Sequence, residues 1–168
     1  MKRILLDTSV YGKLIEEDGV RRLVETRLKL NEYVVYGSQT IRKELRDTPR
    51  GKVVRNSQLR LLLLEVYDSF VRKQNHDLKL NPLVERLSGD YFKEYKKQRG
   101  SFSQHEMKND FMIIATATIY NLDVVVSNDD KTMLSHICIN VYKSVNKKYG
   151  LTNPILKHYQ LFKKELMS

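Results

Sequence analysis

Residues 3–9 read RILLDTS, a short apolar run that ends in one carboxylate and two hydroxyl groups. The run is too short to form a helix of its own, and its Ile and Leu residues are typical of a central strand of a parallel sheet that is buried on both faces. Asp7 then lies at the carboxyl end of that strand, where open α/β sheets bind their ligands. Asp7 is therefore a candidate for chemistry, although an isolated aspartate at this position can also simply cap the next helix.

The composition favours a basic protein that binds a polyanion. The chain has 168 residues, enough for one domain with a hydrophobic core. Its 30 Lys and Arg residues against 20 Asp and Glu residues give a net charge of +10, which favours nucleic acid as a partner. The single cysteine, Cys138, excludes an internal disulfide and suits a reducing compartment, so we expect a cytoplasmic protein. We expect no membrane segment and no signal peptide, because the apolar runs are too short for either.

The rest of the chain alternates strand-like and helix-like segments. Further strands are predicted at about residues 33–36, 124–126 and 137–141. Helices are predicted at about residues 13–30, 53–75, 82–99, 111–120 and 155–166. A further helix is predicted to begin after Ser38 or Thr40 as its N-cap and to end at about residue 47. This alternation predicts a three-layer α/β/α sandwich with a central, mainly parallel sheet. We expect a single domain over residues 1–168, with an extended helical middle segment at about 53–100 and a C-terminal helix at about 155–166.

Four acidic residues occupy related positions in this pattern. Asp7 and Asp129 each follow a predicted strand, Glu44 lies one turn inside a helix that follows a strand, and Asp110 stands at the entrance of an apolar helix. In a parallel sheet these positions can converge on one edge. Two carboxylates about 4 Å apart repel by about 4 kcal/mol at an effective dielectric near 20, so such a cluster requires cations. Oxygen ligands without a His or Cys cluster select Mg²⁺ or Mn²⁺, and phosphodiester hydrolysis is the natural reaction of such a site.

Four segments that contain these acids resemble, in their usual order, the four motifs of PIN-domain nucleases. They are residues 5–9 (LLDTS), residues 38–44 (SQTIRKE), Asp110 followed by residues 114–117 (IATA), and residues 125–129 (VVSND). The resemblance spans nearly the whole chain and implies a PIN-like fold and a metal-dependent ribonuclease. The catalytic and metal-binding acids that it implies are Asp7, Glu44, Asp110 and Asp129. The supporting hydroxyl groups that it implies belong to Thr8, Ser9 and Ser127.

The resemblance also implies partners. Many single-domain prokaryotic members are VapC-like toxins that an antitoxin protein holds inactive, and many are homodimers. The sequence departs from the family pattern after the last strand: Ser127 stands where Thr is usual, and residues 131–133 (KTM) stand where an aromatic residue commonly follows. Asp130 could also take the place of Asp129. The helices predicted between residues 53 and 99 are longer than a minimal toxin needs.

Basic side chains near the predicted site could bind RNA phosphates, although some of them will simply be solvated. The candidates are Arg42, Arg46, Lys96, Lys97, Arg99 and Lys131. His105 and Glu106 lie close to Asp110 in sequence, and for both we expect a surface or capping role rather than a place in the site. Tyr11 is expected in the core, although it is close enough to Asp7 in sequence to stack on a base.

Three functions from different classes fit these observations. The first is a metal-dependent endoribonuclease, either a VapC-like toxin or an RNA-processing enzyme. The second is a catalytically silent PIN-like module that binds RNA or a protein. The third is a phosphatase of the haloacid-dehalogenase type, but its chemistry needs an aspartate two residues after the nucleophile, where Ser9 stands. RNA is favoured over DNA because the chain has no obvious room for the additional clamp of flap nucleases.

Overall fold

A five-stranded sheet organises the computed structural model, which describes residues 1–71 and 75–168. The strands are β1 (Lys2–Leu6), β2 (Tyr33–Ser38), β3 (Val53–Val54), β4 (Ser57–Gln58), β5 (Asp77–Leu78), β6 (Val124–Ser127) and β7 (Ile155–His158). The helices are α1 (Thr8–Glu16), α2 (Asp18–Lys29), α3 (Gln39–Asp47), α4 (Leu59–Phe70), α5 (Pro82–Lys97), α6 (Gln104–Ile119), α7 (His136–Tyr149) and α8 (Tyr159–Met167). The sheet order is β5-β2-β1-β6-β7 and its pairings are parallel.

The sheet is built around β1, as the opening run of the sequence predicts. Ile4, Leu5 and Leu6 are at most 1% exposed, because β2 and β6 flank this strand and helices cover the sheet. This arrangement confirms the predicted three-layer α/β/α class with a parallel central sheet. Within the described ranges, no helix combines the length and the apolar character needed to cross a membrane.

Two predictions for the C-terminal part of the chain are wrong. The predicted strand at 137–141 lies in α7, which Ser135 caps by accepting a hydrogen bond from the backbone of Cys138. The predicted helix at 155–166 is preceded by β7, and α8 begins only at Tyr159. A short apolar run fits a strand and a buried helix equally well by pattern, and β7 is a strand because it pairs with β6.

The helix predicted at 13–30 is two helices, because Glu17 leaves the helical conformation at ψ 74° between α1 and α2. The long helix predicted at 53–75 is also wrong in its first part. Residues 53–58 form the β3–β4 hairpin, whose turn holds Arg55 and Asn56 at positive φ, and α4 follows. Residues 72–74 of that prediction lie outside the described residues. The pattern also missed β5, a two-residue strand whose pairing with β2 extends the sheet.

Gly37 in β2 provides a test of how the sheet is packed. A Cβ atom there would overlap the hydroxyl group of Tyr67, which lies 2.7 Å from an Asp77 carboxylate oxygen and 3.2 Å from the Ser38 carbonyl oxygen. We expect Gly37→Ala to lower the free energy of unfolding by about 2–4 kcal/mol, because it overpacks the site and breaks these buried hydrogen bonds. Urea denaturation measures the change.

Gly12 in α1 is the matched control for this prediction. Apart from its chain neighbours and the backbone of its own helix, no atom of the residues that the structure describes lies within 4 Å of a Cβ atom built at Gly12. The same substitution therefore adds no overlap there. We expect Gly12→Ala to raise the free energy of unfolding by about 0.5–1 kcal/mol, because alanine loses less backbone entropy on entering a helix. Equal stability of Gly37→Ala and the wild type would contradict the packing described for β2.

Candidate functional site

Asp7 lies at the carboxyl end of β1, beside the end of β6. The register pairs Leu6 with Val126, and the Asp7 amide donates to the Val126 carbonyl oxygen at 2.9 Å. Asp7 is 5% exposed, and its Oδ2 accepts hydrogen bonds from Ser9 Oγ at 2.6 Å and Ser127 Oγ at 2.9 Å. Asp7 occupies the N-cap position of α1, but its carboxylate is held by these two hydroxyl groups rather than used as a cap.

Asp129 is held in the turn that follows β6. Its Oδ1 accepts the backbone N–H groups of Lys131 and Thr132 at 2.9 Å each, and its Oδ2 accepts Thr132 Oγ1 at 2.6 Å. The Ser127 hydroxyl links it to Asp7, because this hydroxyl donates to Asp7 and accepts the Asp129 N–H at 3.1 Å. The serine that replaces the usual threonine therefore still orients the carboxylate of Asp7.

Asp130 lies outside this arrangement. It is exposed, and its carboxylate faces the imidazole of His158 at 3.4 Å. Of the two neighbouring aspartates, Asp129 is the one whose negative charge acts on Asp110. The geometry therefore places Asp129, and not Asp130, with the other predicted acids.

Glu44 is connected both to the strand end and to α6. Helix α3 begins after Ser38, whose hydroxyl accepts the Ile41 N–H at 3.3 Å, so Ser38 rather than Thr40 is the N-cap. Glu44 Oε2 accepts Thr8 Oγ1 at 2.6 Å, and Oε1 accepts Asn109 Nδ2 at 2.8 Å. The two hydrogen bonds fix the carboxylate between the start of α1 and α6.

Asp110 is carried inside α6 rather than at its entrance. The helix begins at Gln104, after a capping box in which Ser103 and Glu106 satisfy each other's backbone N–H groups. The predicted helix start near Asp110 is therefore wrong, and Glu106 has the capping role that we expected as one alternative. Because Asp110 lies beyond the first turn of a buried helix, its backbone is held by regular helical hydrogen bonds.

The four predicted acids form one electrostatic cluster. Burial raises the pKa of Asp110 to about 7, and the negative charges of Asp7, Asp129 and Glu44 act in the same direction, against a hydrogen bond from Thr132. Burial also raises the pKa of Asp7 and of Glu44 above their ordinary values. The fold therefore brings together carboxylates from four separate segments, and it disfavours the ionised forms of Asp7, Glu44 and Asp110 without a cation.

Sequence reasoning missed two members of this cluster, Asn109 and Thr132. Asn109 binds Glu44 although the two residues are 65 positions apart, and only its neighbour Asp110 pointed to it in the sequence. Thr132 belongs to residues 131–133, which stand where an aromatic residue commonly follows the last motif, and nothing in that segment pointed to its hydrogen bond with Asp129. Tyr11 is fully buried against the ring of Tyr67, at 5.5 Å between ring centroids, and is a core residue.

The residues present suit a hard divalent cation. Within residues 1–71 and 75–168, no three Asp, Glu, His or Cys side chains stand close enough together to hold one metal ion in this conformation. Mg²⁺, however, usually takes only one or two protein carboxylates and completes its shell with water and substrate phosphates. Carboxylate oxygens with uncompensated negative charge are the donors that this chemistry requires, so the site fits the predicted ion.

The predicted RNA-binding residues fall into separate groups. Arg42 and Arg46 line a groove of about 710 Å³ between α3 and α6, and Arg42 also pairs with Asp68 at 3.6 Å. Lys131 is exposed next to Asp129. The remaining three, at the C-terminal end of α5 and in the turn after it, are Lys96, Lys97 and Arg99. Asp110 lies six residues after the start of α6, about 9 Å along that helix, so this last group is beside the helix start rather than beside the acids.

Comparisons with known proteins identify the fold. No protein-family model matches the chain, and no curated protein matches it by sequence. A chain in the structure of VapBC2 from Rickettsia felis, bound to a DNA fragment from its promoter, is 15% identical with a TM-score of 0.61. Chains of DNA-bound VapBC from Salmonella typhimurium and of VapBC-1 from nontypeable Haemophilus influenzae are each 16% identical with a TM-score of 0.59.

Each of the three alignments covers 94% of this chain and 98% of the other chain, so the likeness concerns the whole domain. At such low identity a structural likeness is evidence of the fold and not of the activity. It confirms, at the level of the fold, the resemblance seen in the sequence motifs. The chain therefore has the PIN-like α/β fold of VapC proteins.

Proposed function

We propose that this protein is a metal-dependent endoribonuclease that hydrolyses RNA phosphodiester bonds. The observation that carries the proposal is the convergence of Asp7, Glu44, Asp110 and Asp129 at the carboxyl edge of the sheet, where Asp110 experiences the charges of the other three. Keeping buried carboxylates so close together is unfavourable for folding, and such clusters are typical of functional sites. The net charge of +10 supports a nucleic acid as the substrate.

The proposed chemistry uses Mg²⁺ or Mn²⁺, which one or two carboxylates of the four-acid cluster would bind directly while the others supply negative charge around it. A bound divalent cation would lower the pKa of the attacking water and polarise the phosphoryl oxygens. The chain's own contribution is to hold the acids in place: Ser9 and Ser127 orient Asp7, and Thr132 orients Asp129. Thr8 and Asn109 orient Glu44 in the same way, and these side chains are held before a substrate arrives.

We also propose a protein partner of the antitoxin type that binds this chain and suppresses its cleavage of RNA. The support for such a partner is the likeness in fold to chains from VapBC complexes, and the proposal of a partner rests on that likeness alone. The proposal requires that a bound partner lowers the cleavage rate and that the rate recovers when the partner is removed. The purified chain, freed of any partner, should cut RNA by itself.

Cleavage of a mixed pool of labelled RNAs and single-stranded DNAs tests the proposed function. The wild type is assayed with Mn²⁺, with Mg²⁺ and with chelator, beside an Asp7→Asn/Asp129→Asn double variant. We expect the wild type alone to cut RNA, only with a divalent cation, and to recover activity when the metal is restored after chelation. Equal activity of the wild type and the variant, or cutting in chelator, would overturn the proposal.

A further inference from the structure

A groove outside the acid cluster opens directly onto it. The groove lies between α3 and α6, has a volume of about 710 Å³, and includes Glu44 and Asn109 among its lining residues. The Glu44 carboxylate accepts the Asn109 amide at 2.8 Å, so the groove and the acid cluster share Glu44. A molecule that lies in the groove therefore borders the acids.

Both walls of the groove carry basic side chains. Lys43 and Arg46, on α3, are exposed and three residues apart, which places them on the same face of the helix. Lys108, on α6, is exposed on the opposite wall and immediately precedes Asn109. Apart from Glu44, the described lining residues include four Lys and Arg side chains against the two acids Asp47 and Glu85. The groove thus presents cations from two sides to whatever it holds.

The dimensions of the groove suit one strand rather than a duplex. Helices α3 and α6 meet at the Glu44–Asn109 hydrogen bond, and the groove between them has a volume of about 710 Å³. A single sugar–phosphate chain can lie along such a groove, whereas a duplex would rest on its rim and keep its phosphates away from the inner end. Lys and Arg on both walls suit contacts to phosphate, which position a strand without reading its sequence.

Resting on the proposed nuclease function, we propose that the groove between α3 and α6 binds the backbone of single-stranded RNA and guides it to the acids. Lys43, Arg46 and Lys108 contact its phosphates. Two of these residues, Lys43 and Lys108, line the groove from different helices, and their charges act together on one strand. The basic residues at the end of α5, by contrast, are not required for this contact.

The test measures binding without cleavage. Fluorescence anisotropy follows a labelled oligouridine of 12 nucleotides (about four per expected contact) on an Asp129→Asn background in chelator, so no metal or catalysis contributes. The variant Lys43→Ala/Lys108→Ala is compared with Lys97→Ala/Lys147→Ala, in which two exposed lysines of α5 and α7 change the net charge equally. Thermal unfolding of each variant checks that the fold is kept.

We expect the groove variant to bind on the order of tenfold more weakly at 0.1 M salt, with the slope of log K against log salt reduced in magnitude by about 1.4. Arg46→Gln alone should reduce the slope by about 0.7, and provides a second measurement with a single surface substitution. The control variant should change neither quantity by more than about a third of these amounts. A duplex of the same length should bind more weakly than the single strand.

Equal loss of affinity in the groove variant and the control variant would overturn the proposal, because the effect would then be one of overall charge. Preferred binding of the duplex would overturn it as well. These failures are distinct from failure of the nuclease proposal. If the protein binds the oligonucleotide through the groove but cuts no RNA with metal, the nuclease proposal fails and the groove proposal stands. If the protein cuts RNA at a rate that does not depend on Lys43 and Lys108, the nuclease proposal stands and the groove proposal fails.

Discussion

Asp129→Asn should lower the rate of metal-dependent RNA cleavage by about 10³-fold or more, whereas Asp130→Asn should leave it within about twofold. Asparagine at position 129 keeps an oxygen that can accept the backbone N–H groups of Lys131 and Thr132, so we expect the turn after β6 to persist. What the substitution removes is the negative charge that acts on Asp110, and with it a proposed ligand for the cation.

Asp130 makes a sharp control because it is the next residue and receives the same chemical change. It is exposed and faces His158 at 3.4 Å, a surface contact worth at most about 1 kcal/mol. The measurement is the initial rate on an RNA that the wild type cuts, at saturating Mn²⁺. Equal rates for the two variants would show that Asp129 has no special role. If the wild type binds RNA but cuts none of the RNAs tested, a silent PIN-like binding module becomes the better interpretation.

Asp110→Asn should stabilise the metal-free protein, and by an amount that increases with pH. The folded state holds the pKa of Asp110 at about 7, against an ordinary value of 3.8, so between these values folded Asp110 keeps a proton that the unfolded chain has released. The free energy of unfolding of the wild type therefore falls as pH rises through this window. Asparagine has no titratable proton at this position, so the variant does not lose stability in this way. The difference in free energy of unfolding between the variant and the wild type should grow by about 2 kcal/mol between pH 5 and pH 8.

Urea denaturation in chelator at several pH values measures this difference. Asp90→Asn is the control, because the Tyr149 hydroxyl lowers the pKa of Asp90 and its carboxylate is charged throughout the window. Its effect on stability should be the same at pH 5 and pH 8. A stability difference between Asp110→Asn and the wild type that does not change with pH would contradict the description of the cluster.

Added Mn²⁺ extends this prediction to the metal. At pH 8 and at 100 times its dissociation constant, a cation that binds only the folded state raises the free energy of unfolding by about 2.7 kcal/mol. We expect most of this gain in the wild type and little of it in Asp110→Asn, because the variant has lost both a proposed ligand and a charge that would attract the ion. Equal gains in the two proteins would place the bound metal elsewhere.

The sequence predicted the fold class from features that are local in the chain. The apolar residues of β1 are buried because β1 is a central strand of a parallel sheet whose two faces are covered by helices, and this leaves a simple pattern of consecutive Ile and Leu. The run at 137–139 shows the limit of such patterns. Three apolar residues fit a strand or a buried helix, and the Ser135 cap together with packing beyond the run makes it part of α7.

The sequence by itself determined which acids are available and their order along the chain, because a carboxylate after a buried strand is visible as a short motif. Only the tertiary structure decided which side chains meet. The packing of α3 against α6 joins Glu44 to Asn109 across 65 positions, and the turn after β6 selects Asp129 over Asp130. The physical reason is that hydrogen bonding, burial and charge repulsion depend on distances in space, and the register of β1 with β6 and the packing of helices set these distances.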